Sequence, residues 1–272
     1  MKNRTIKPGI PSSKRNNISS LEGITNDTVL YKYFSCETFC KFLKNPSLKF
    51  AKPTNWDDKF EGHRHNFFQN AYRDNQKAEC YRAMCWTLGA DDPICYGNDL
   101  AVHEAAIKEL HEFGYAAMWE SYCRDGGVRI KSTYGKLKKM LIKELPSGGI
   151  WAGNVRYEPE SLWQSLPGAT GLVGQLFIKG VTFKHEAEFR FIFLPESQEC
   201  PEEIYLPINN PYEFIDELLI APESGRKPWG AYSLYIDCLN TFSTPVSGPT
   251  NIKNGVHHSR ISNLYGNISM SF

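Results

Sequence analysis

His185-Glu186-Ala187-Glu188-Phe189-Arg190-Phe191-Ile192-Phe193-Leu194 is the stretch on which the reading of this chain turns. Aromatic and β-branched residues recur here with a period of two, which predicts a strand over residues 188–194. Successive side chains on a strand point to opposite faces. Phe189, Phe191 and Phe193 then share a core face with Ala187, and Glu186, Glu188 and Arg190 share the other. Two carboxylates and a guanidinium on a rigid element suit a reactive site. A carboxylate so held can act as a general base or stabilise a cationic transition state. The same pattern also fits a solvated strand face with an i,i+2 Glu–Arg pair.

Working outward, other short elements declare themselves. Residues 1–27 are rich in Lys, Asn, Ser and Pro and read as a flexible lead-in. Val29 to Phe34 is a strand. Ser35 fits the N-cap of a helix carrying Phe39, Phe42 and Leu43 on one face, and Asn45-Pro46 stops it. Leu48 to Ala51 is a second strand, followed by a loop over 53–62 and a helical stretch to about Arg82. Ala83 to Thr87 reads as a buried strand. Leu100 to Phe113 is a helix that Gly114 caps, and Tyr115 to Tyr122 a shorter one. Asp125-Gly126-Gly127 turns into a strand at Val128–Lys131, and Ser132 caps a helix from Leu137 to Leu145. Val155-Arg156-Tyr157 is extended, Leu218 to Ala221 is a strand, and Trp229 to Leu239 is helical. The tail over 244–272 is loosely structured. No Gly-x-Gly-x-x-Gly or phosphate-loop motif and no regular βαβ rhythm occurs. The expected fold is α+β: one domain over 28–243 with a mixed, mostly antiparallel β core surrounded by helices.

Bulk composition narrows the function classes. The chain has 272 residues with 41% hydrophobic and 13% aromatic content, enough for a sizeable core. A formal charge of +1 argues against a polybasic nucleic-acid coat. No apolar run is long enough for a membrane span, and no apolar segment follows the basic N-terminus. The reading is a cytoplasmic protein with no membrane partner. Eight cysteines include no Cys-x-x-Cys pair, so they are expected to be reduced and structural.

Three further constellations can carry chemistry. In Tyr31-Lys32-Tyr33 the lysine points away from both tyrosines and can hold a phosphate as a point charge, or simply face water. Asp57, Asp58 and Glu61 form an acidic loop near His63 and His65, without the ligand alternation of an EF-hand. Trp119 and Tyr122 lie three apart on a helix and can wall a planar ring or pack as core. No Ser/His/Asp or Cys/His nucleophile arrangement stands out.

Taken in order, these landmarks resemble a bacterial family catalogued as domain-of-unknown-function family 2971. The likeness runs through Leu30-Tyr31-Lys32-Tyr33, Asn55 to Glu61, Trp119-Glu120-Ser121-Tyr122 before Gly127-Val128, Val155-Arg156-Tyr157 and Glu186 to Arg190. It covers roughly residues 29–222. The family's acidic loop usually reads Asn-Asp-Pro-Phe-Glu, and Asp57-Asp58-Lys59-Phe60-Glu61 lacks that proline.

A more distant resemblance is to ADP-ribosyltransferases of the His-Tyr-Glu type. Leu30-Tyr31-Lys32 is similar to the first landmark, with lysine where that family has histidine. Tyr122 matches the second and Glu188 the third. The resemblance implies NAD as substrate, nicotinamide near Trp119 and Tyr122, and Tyr31, Lys32, Arg129 and Arg190 among the residues contacting it. Glu188 would stabilise the oxocarbenium-like cation, and Glu186 would polarise an acceptor, nucleic acid or protein. A bacterial toxin or phage-defence effector is the implied setting. Two alternatives stay open: a metal-dependent nuclease or phosphodiesterase, with Asp57, Asp58, Glu61 and Glu188 holding the cation and Lys32 the phosphate, and a non-catalytic binding module of a defence system.

Overall fold

The computed structural model describes residues 19–20, 24–56, 78–89, 100–159, 172–196, 200–221 and 256–258. The strands, in chain order, are β1 (Ser19–Ser20), β2 (Val29–Ser35), β3 (Ser47–Ala51), β4 (Arg82–Leu88), β5 (Gly127–Thr133), β6 (Gly148–Asn154), β7 (Arg156–Glu158), β8 (Ile178–Gly180), β9 (Glu188–Pro195), β10 (Glu203–Pro207), β11 (Glu217–Ile220) and β12 (Val256–His258). The α-helices are α1 (Cys36–Lys44), α2 (Leu100–Phe113), α3 (Ala116–Tyr122), α4 (Tyr134–Glu144), α5 (Leu172–Gln175) and α6 (Pro211–Phe214). Helices accompany mostly antiparallel pairing, so the architecture is α+β, as the sequence leads one to expect. No helix among the described residues is long and apolar enough to cross a membrane. The expected helix at Trp229–Leu239 and the acidic loop lie outside the described residues.

Packing groups the chain into two compact units. The first comprises Met1–Asn26, Leu48–Thr87 and Leu137–Pro207. The second comprises Asp27–Ser47, Leu88–Lys136 and Ile208–Phe272.

In the first unit the strands run in the order β1-β6-β9-β4, with β3 pairing β4 and β10 pairing β3. Strand β9 lies antiparallel between β4 and β6. Its Phe189, Phe191 and Phe193 share one face with Met84 and Trp86 of β4. The other face carries Glu188, Arg190 and Ile192 beside Cys85, Ala83 and Trp151. This second face is not solvated. Ile192, Ala83 and Trp151 pack with Tyr81, Leu176 and Phe177, and Trp56 closes against them. The alternation predicted one buried and one open face, and the second is covered because Leu176, Phe177 and Trp56 pack onto it.

Strands β1, β6, β8 and β10 of this unit were not expected. Strand β6 opens on Gly148 and Gly149, which have little intrinsic strand preference; its Ile150-Trp151-Ala152 run is driven by pairing with β9. Cys80 and Cys200 form a disulfide with a Cα–Cα distance of 4.9 Å. That corrects the expectation that all cysteines are reduced. The pair is separated by 120 residues, so no local spacing announces it. Arg82, expected at a helix end, instead begins β4 and donates from Nε and both terminal nitrogens to the carbonyls of Pro201, Glu79 and Tyr81.

In the second unit the strand order is β2-β5-β11-β12. Strand β12 is drawn from the tail expected to be loose, and pairs parallel with β11. Ser35 caps α1 by accepting from the Thr38 N–H at 3.2 Å, and Phe39 and Phe42 bury against Phe34. Each such ring contributes roughly 1.5–3 kcal/mol of burial. Gly114 ends α2 with φ of +80° and donates to Leu110 O at 3.0 Å, leaving its α-carbon open to the Trp119 indole. Helix α4 starts earlier than expected. Its first-turn Lys136 N–H donates to Thr133 Oγ1 at 3.4 Å, while Ser132 lies within β5 and donates to Phe214 O at 2.7 Å.

Gly127, at the start of β5, allows close approach rather than a special dihedral. A β-carbon there would collide with the Phe34 carbonyl oxygen and stand 2.6 Å from Cys123 Sγ. Backbone cannot yield as a flexible side chain can. Gly127→Ala is therefore expected to destabilise by about 3 kcal/mol, the upper end of overpacking costs. Urea denaturation checks this, and a midpoint equal to that of the unmodified protein would contradict it.

Candidate functional site

The first unit holds a cluster of ionic side chains. The chain reaches it through β8, which pairs parallel with β7 and sets Lys179 directly beside Tyr157. A 3₁₀ helix over Val181–Glu186 follows. Ala187 then adopts left-handed dihedrals, φ 43° and ψ 49°. It is the one non-glycine residue with positive φ among the described residues. Such a conformation costs on the order of 1 kcal/mol or more and persists only where the surroundings hold it. Here it folds Glu186 back. Glu186 and Glu188 converge on one ammonium instead of lining up along a strand. This corrects the alternation reading, which placed Glu186, Ala187 and Glu188 all on β9.

Lys179 Nζ donates to Glu186 Oε2 at 2.5 Å and lies 3.7 Å from Glu188 Oε2. Arg190 donates from Nε to Glu188 Oε2 at 3.1 Å and forms a closer contact through Nη2. Its Nη1 donates to Leu176 O at 2.7 Å, and its guanidinium stacks 4.3 Å from the Trp56 ring. The Glu188 N–H donates to Tyr157 Oη at 2.7 Å, and the Cys85 thiol donates to the Glu188 carboxylate. Lys179, Glu186 and Glu188 are 4%, 6% and 7% exposed and Arg190 0%, so solvent screens these charges weakly.

Two cations and two carboxylates balance, but the carboxylates are not equivalent. Burial pushes the Glu186 carboxyl above its ordinary range, the Glu188 charge adds to this, and Lys179 opposes it. Burial acts on Glu188 in the same direction, yet Arg190 and Lys179 outweigh it and hold that carboxyl below the ordinary range. Burial and the neighbouring Glu188 push the Tyr157 phenol upward.

The second unit holds the other expected residues. Tyr31, Tyr33, Trp119 and Met118 form a buried cluster with Tyr115 and Leu219. Tyr31 Oη is hydrogen-bonded to His111 Nδ1 at 2.5 Å, and the Arg129 guanidinium stacks 4.1 Å from the Tyr31 ring. Arg129 donates to the carbonyls of Leu110 and His111 at 3.1 and 2.5 Å and to Glu217 Oε1 at 3.0 Å. It satisfies the C-terminal carbonyls of α2 and complements the helix dipole there. Trp119 Nε1 donates to Phe113 O at 2.9 Å. Tyr31, Trp119 and Arg129 are thus engaged inside this unit. Trp119 is buried while Tyr122 is 43% exposed, so the two do not form a common wall. Lys32 is half-buried on the face away from the tyrosines, 5.9 Å from the Phe34 ring.

The structure therefore joins Glu186, Glu188 and Arg190, and separately joins Tyr31 with Arg129. Asp57, Asp58 and Glu61 lie outside the described residues. Among the described residues no group of three or more His, Cys, Asp or Glu is placed to hold a metal ion. Sequence reading missed Lys179, Trp56, Tyr157 and Cys85 as site members. Lys179 carried one signal: a lone charge closing the apolar run Leu176-Phe177-Ile178 implies a buried partner.

Fold and site together define an α+β protein with a buried, charge-balanced carboxylate pair. Comparison with protein-family models, with curated proteins and with solved structures finds no match for the chain.

Proposed function

We propose that the chain is an ADP-ribosyltransferase-like enzyme that takes NAD as substrate and passes ADP-ribose to a macromolecular acceptor, a nucleic acid or a protein. One observation carries this reading. Glu188 and Glu186 meet at the same ammonium with their proton affinities driven apart. Carboxylates split in this way serve as an ionised, cation-stabilising group and a proton-handling group. Glycosyl-bond cleavage needs both, since positive charge develops at the anomeric carbon while a nucleophile loses a proton. Glu188, fixed by Arg190 and kept ionised, is the cation-stabilising group. Glu186 receives the acceptor's proton. Burial strengthens both effects, because preorganised charges act in a weakly screened site.

Incubation with NAD and chromatographic detection of free nicotinamide tests this. The unmodified protein is expected to release nicotinamide, and Glu188→Gln to release it about 10²–10³-fold more slowly. Glutamine still accepts from Arg190 but leaves that buried charge without its counter-charge, so the rates are compared only after circular dichroism shows the variant folded at the assay temperature. Failure of the folded parent to release nicotinamide, even with cell extract supplying acceptors, would sink the reading.

A further inference from the structure

We propose that Lys179 is a positioning residue that keeps Glu186 ionised inside the protein, and that Glu186 so held accepts the proton of an O–H or N–H nucleophile. The identity of the reaction rests on the ribosyl-transfer reading above; the charge-holding role stands on geometry alone. Lys179 Nζ contacts Glu186 at 2.5 Å, and its longer approach of 3.7 Å to Glu188 leaves that carboxylate to Arg190. Lys179 is thus the cation in hydrogen-bonding contact with Glu186, and Arg190 the one in hydrogen-bonding contact with Glu188. Glu186 ends the 3₁₀ helix before the left-handed residue Ala187, and Glu188 begins β9 after it.

The titratable and charged groups gathered around Lys179 and the two carboxylates come from several elements. Glu186 comes from the 3₁₀ helix, Glu188 and Arg190 from β9, Tyr157 from β7, and Cys85 from β4 at its register opposite Arg190. The Phe183 ring lies 4.7 Å from the ammonium and closes the apolar side. Arg190 is engaged with Glu188, Leu176 O and Trp56. Without Lys179, burial and the Glu188 charge would both drive a proton onto Glu186.

In the reaction, the bond between the anomeric carbon and nicotinamide nitrogen breaks. Its electron pair leaves with the nicotinamide and neutralises the pyridinium. The nucleophile's oxygen or nitrogen bonds the anomeric carbon, and its proton goes to Glu186. The acceptor class is accordingly a hydroxyl or an amine.

Infrared titration of the folded protein tests the charge-holding role without turnover. At neutral pH, Lys179→Met should show a protonated-carboxyl band that the parent and Lys179→Arg lack. Lys179→Gln, which keeps a hydrogen bond without the charge, should show the same band, and adding Glu186→Gln should remove it. The proposal is overturned if the parent already shows the band, if neither uncharged variant shows it, or if it survives Glu186→Gln. In turnover with NAD and a hydroxyl or amine acceptor, Lys179→Gln should lower kcat about 10²-fold with little change in KM. Glu186 must be ionised, so the acid limb of the rate profile should lie above the ordinary carboxylate range and move higher still in Lys179→Gln. Parental release of nicotinamide that Lys179→Gln leaves at full rate, with no band, overturns the Lys179 proposal and keeps the ribosyl-transfer reading. The expected bands without release by any variant support the charge-holding role and defeat that reading.

Discussion

Arg190→Met should lose about 3–5 kcal/mol of stability at neutral pH, the cost of leaving a buried charge without its partner. The guanidinium holds Glu188, bonds the Leu176 carbonyl and stacks on Trp56, so one substitution strips contacts from β9, the turn after α5 and the segment at residue 56. Methionine fills much of the volume, which separates the charge effect from a cavity. The pH dependence gives a sharper signature. In the parent, the Glu188 carboxyl lies below its unfolded value. Its contribution is present above the unfolded pKa and is lost as pH falls through the folded one. In Arg190→Met, burial is left opposed by Lys179 and the Cys85 thiol without the guanidinium, and the folded pKa is expected to rise above the unfolded one. That variant gains stability as pH falls from neutral toward the ordinary carboxylate range. The difference between the two proteins should therefore narrow on mild acidification. Guanidinium denaturation at two pH values measures it, and a difference independent of pH would show that Glu188 is not the group left exposed to burial.

Arg129→Met should be comparably costly, again about 3–5 kcal/mol. Its mechanism differs. Arg129 closes the C-terminal carbonyls of α2, pairs with Glu217 and stacks on Tyr31. Lysine cannot replace it, because an ammonium lacks the planar fork that reaches two carbonyls and a carboxylate together. Arg129→Lys should recover less than half of the loss. Hydrogen exchange should quicken at the C-terminal end of α2 in both variants. Unchanged protection over Leu100–Phe113 would contradict the capping role.

Much of the local structure is legible without coordinates. Ser35 and its helix, the Leu100–Phe113 helix with Gly114 behind it, and the strand from Glu188 are set by capping chemistry, left-handed glycine and aromatic alternation within a few residues. Glu186, Glu188 and Arg190 were legible as a group for the same reason. The chain passes between its two units repeatedly, so no composition break or linker marks them. Strand β6 escaped notice because its glycines are poor strand formers and its pairing with β9 is long-range.

What the sequence by itself determined is the set of short elements and the α+β class, since these follow from interactions between near neighbours in the chain. Tertiary structure alone decided that β9 is covered on both faces, that Cys80 meets Cys200, and that Lys179 stands between Glu186 and Glu188. The first two depend on long-range packing, and the third also on a single left-handed residue, Ala187, which alternation reads as one more strand position. Burial then did what charge counting cannot. By weakening solvent screening it made two like carboxylates unlike, one held ionised by Arg190 and the other dependent on Lys179.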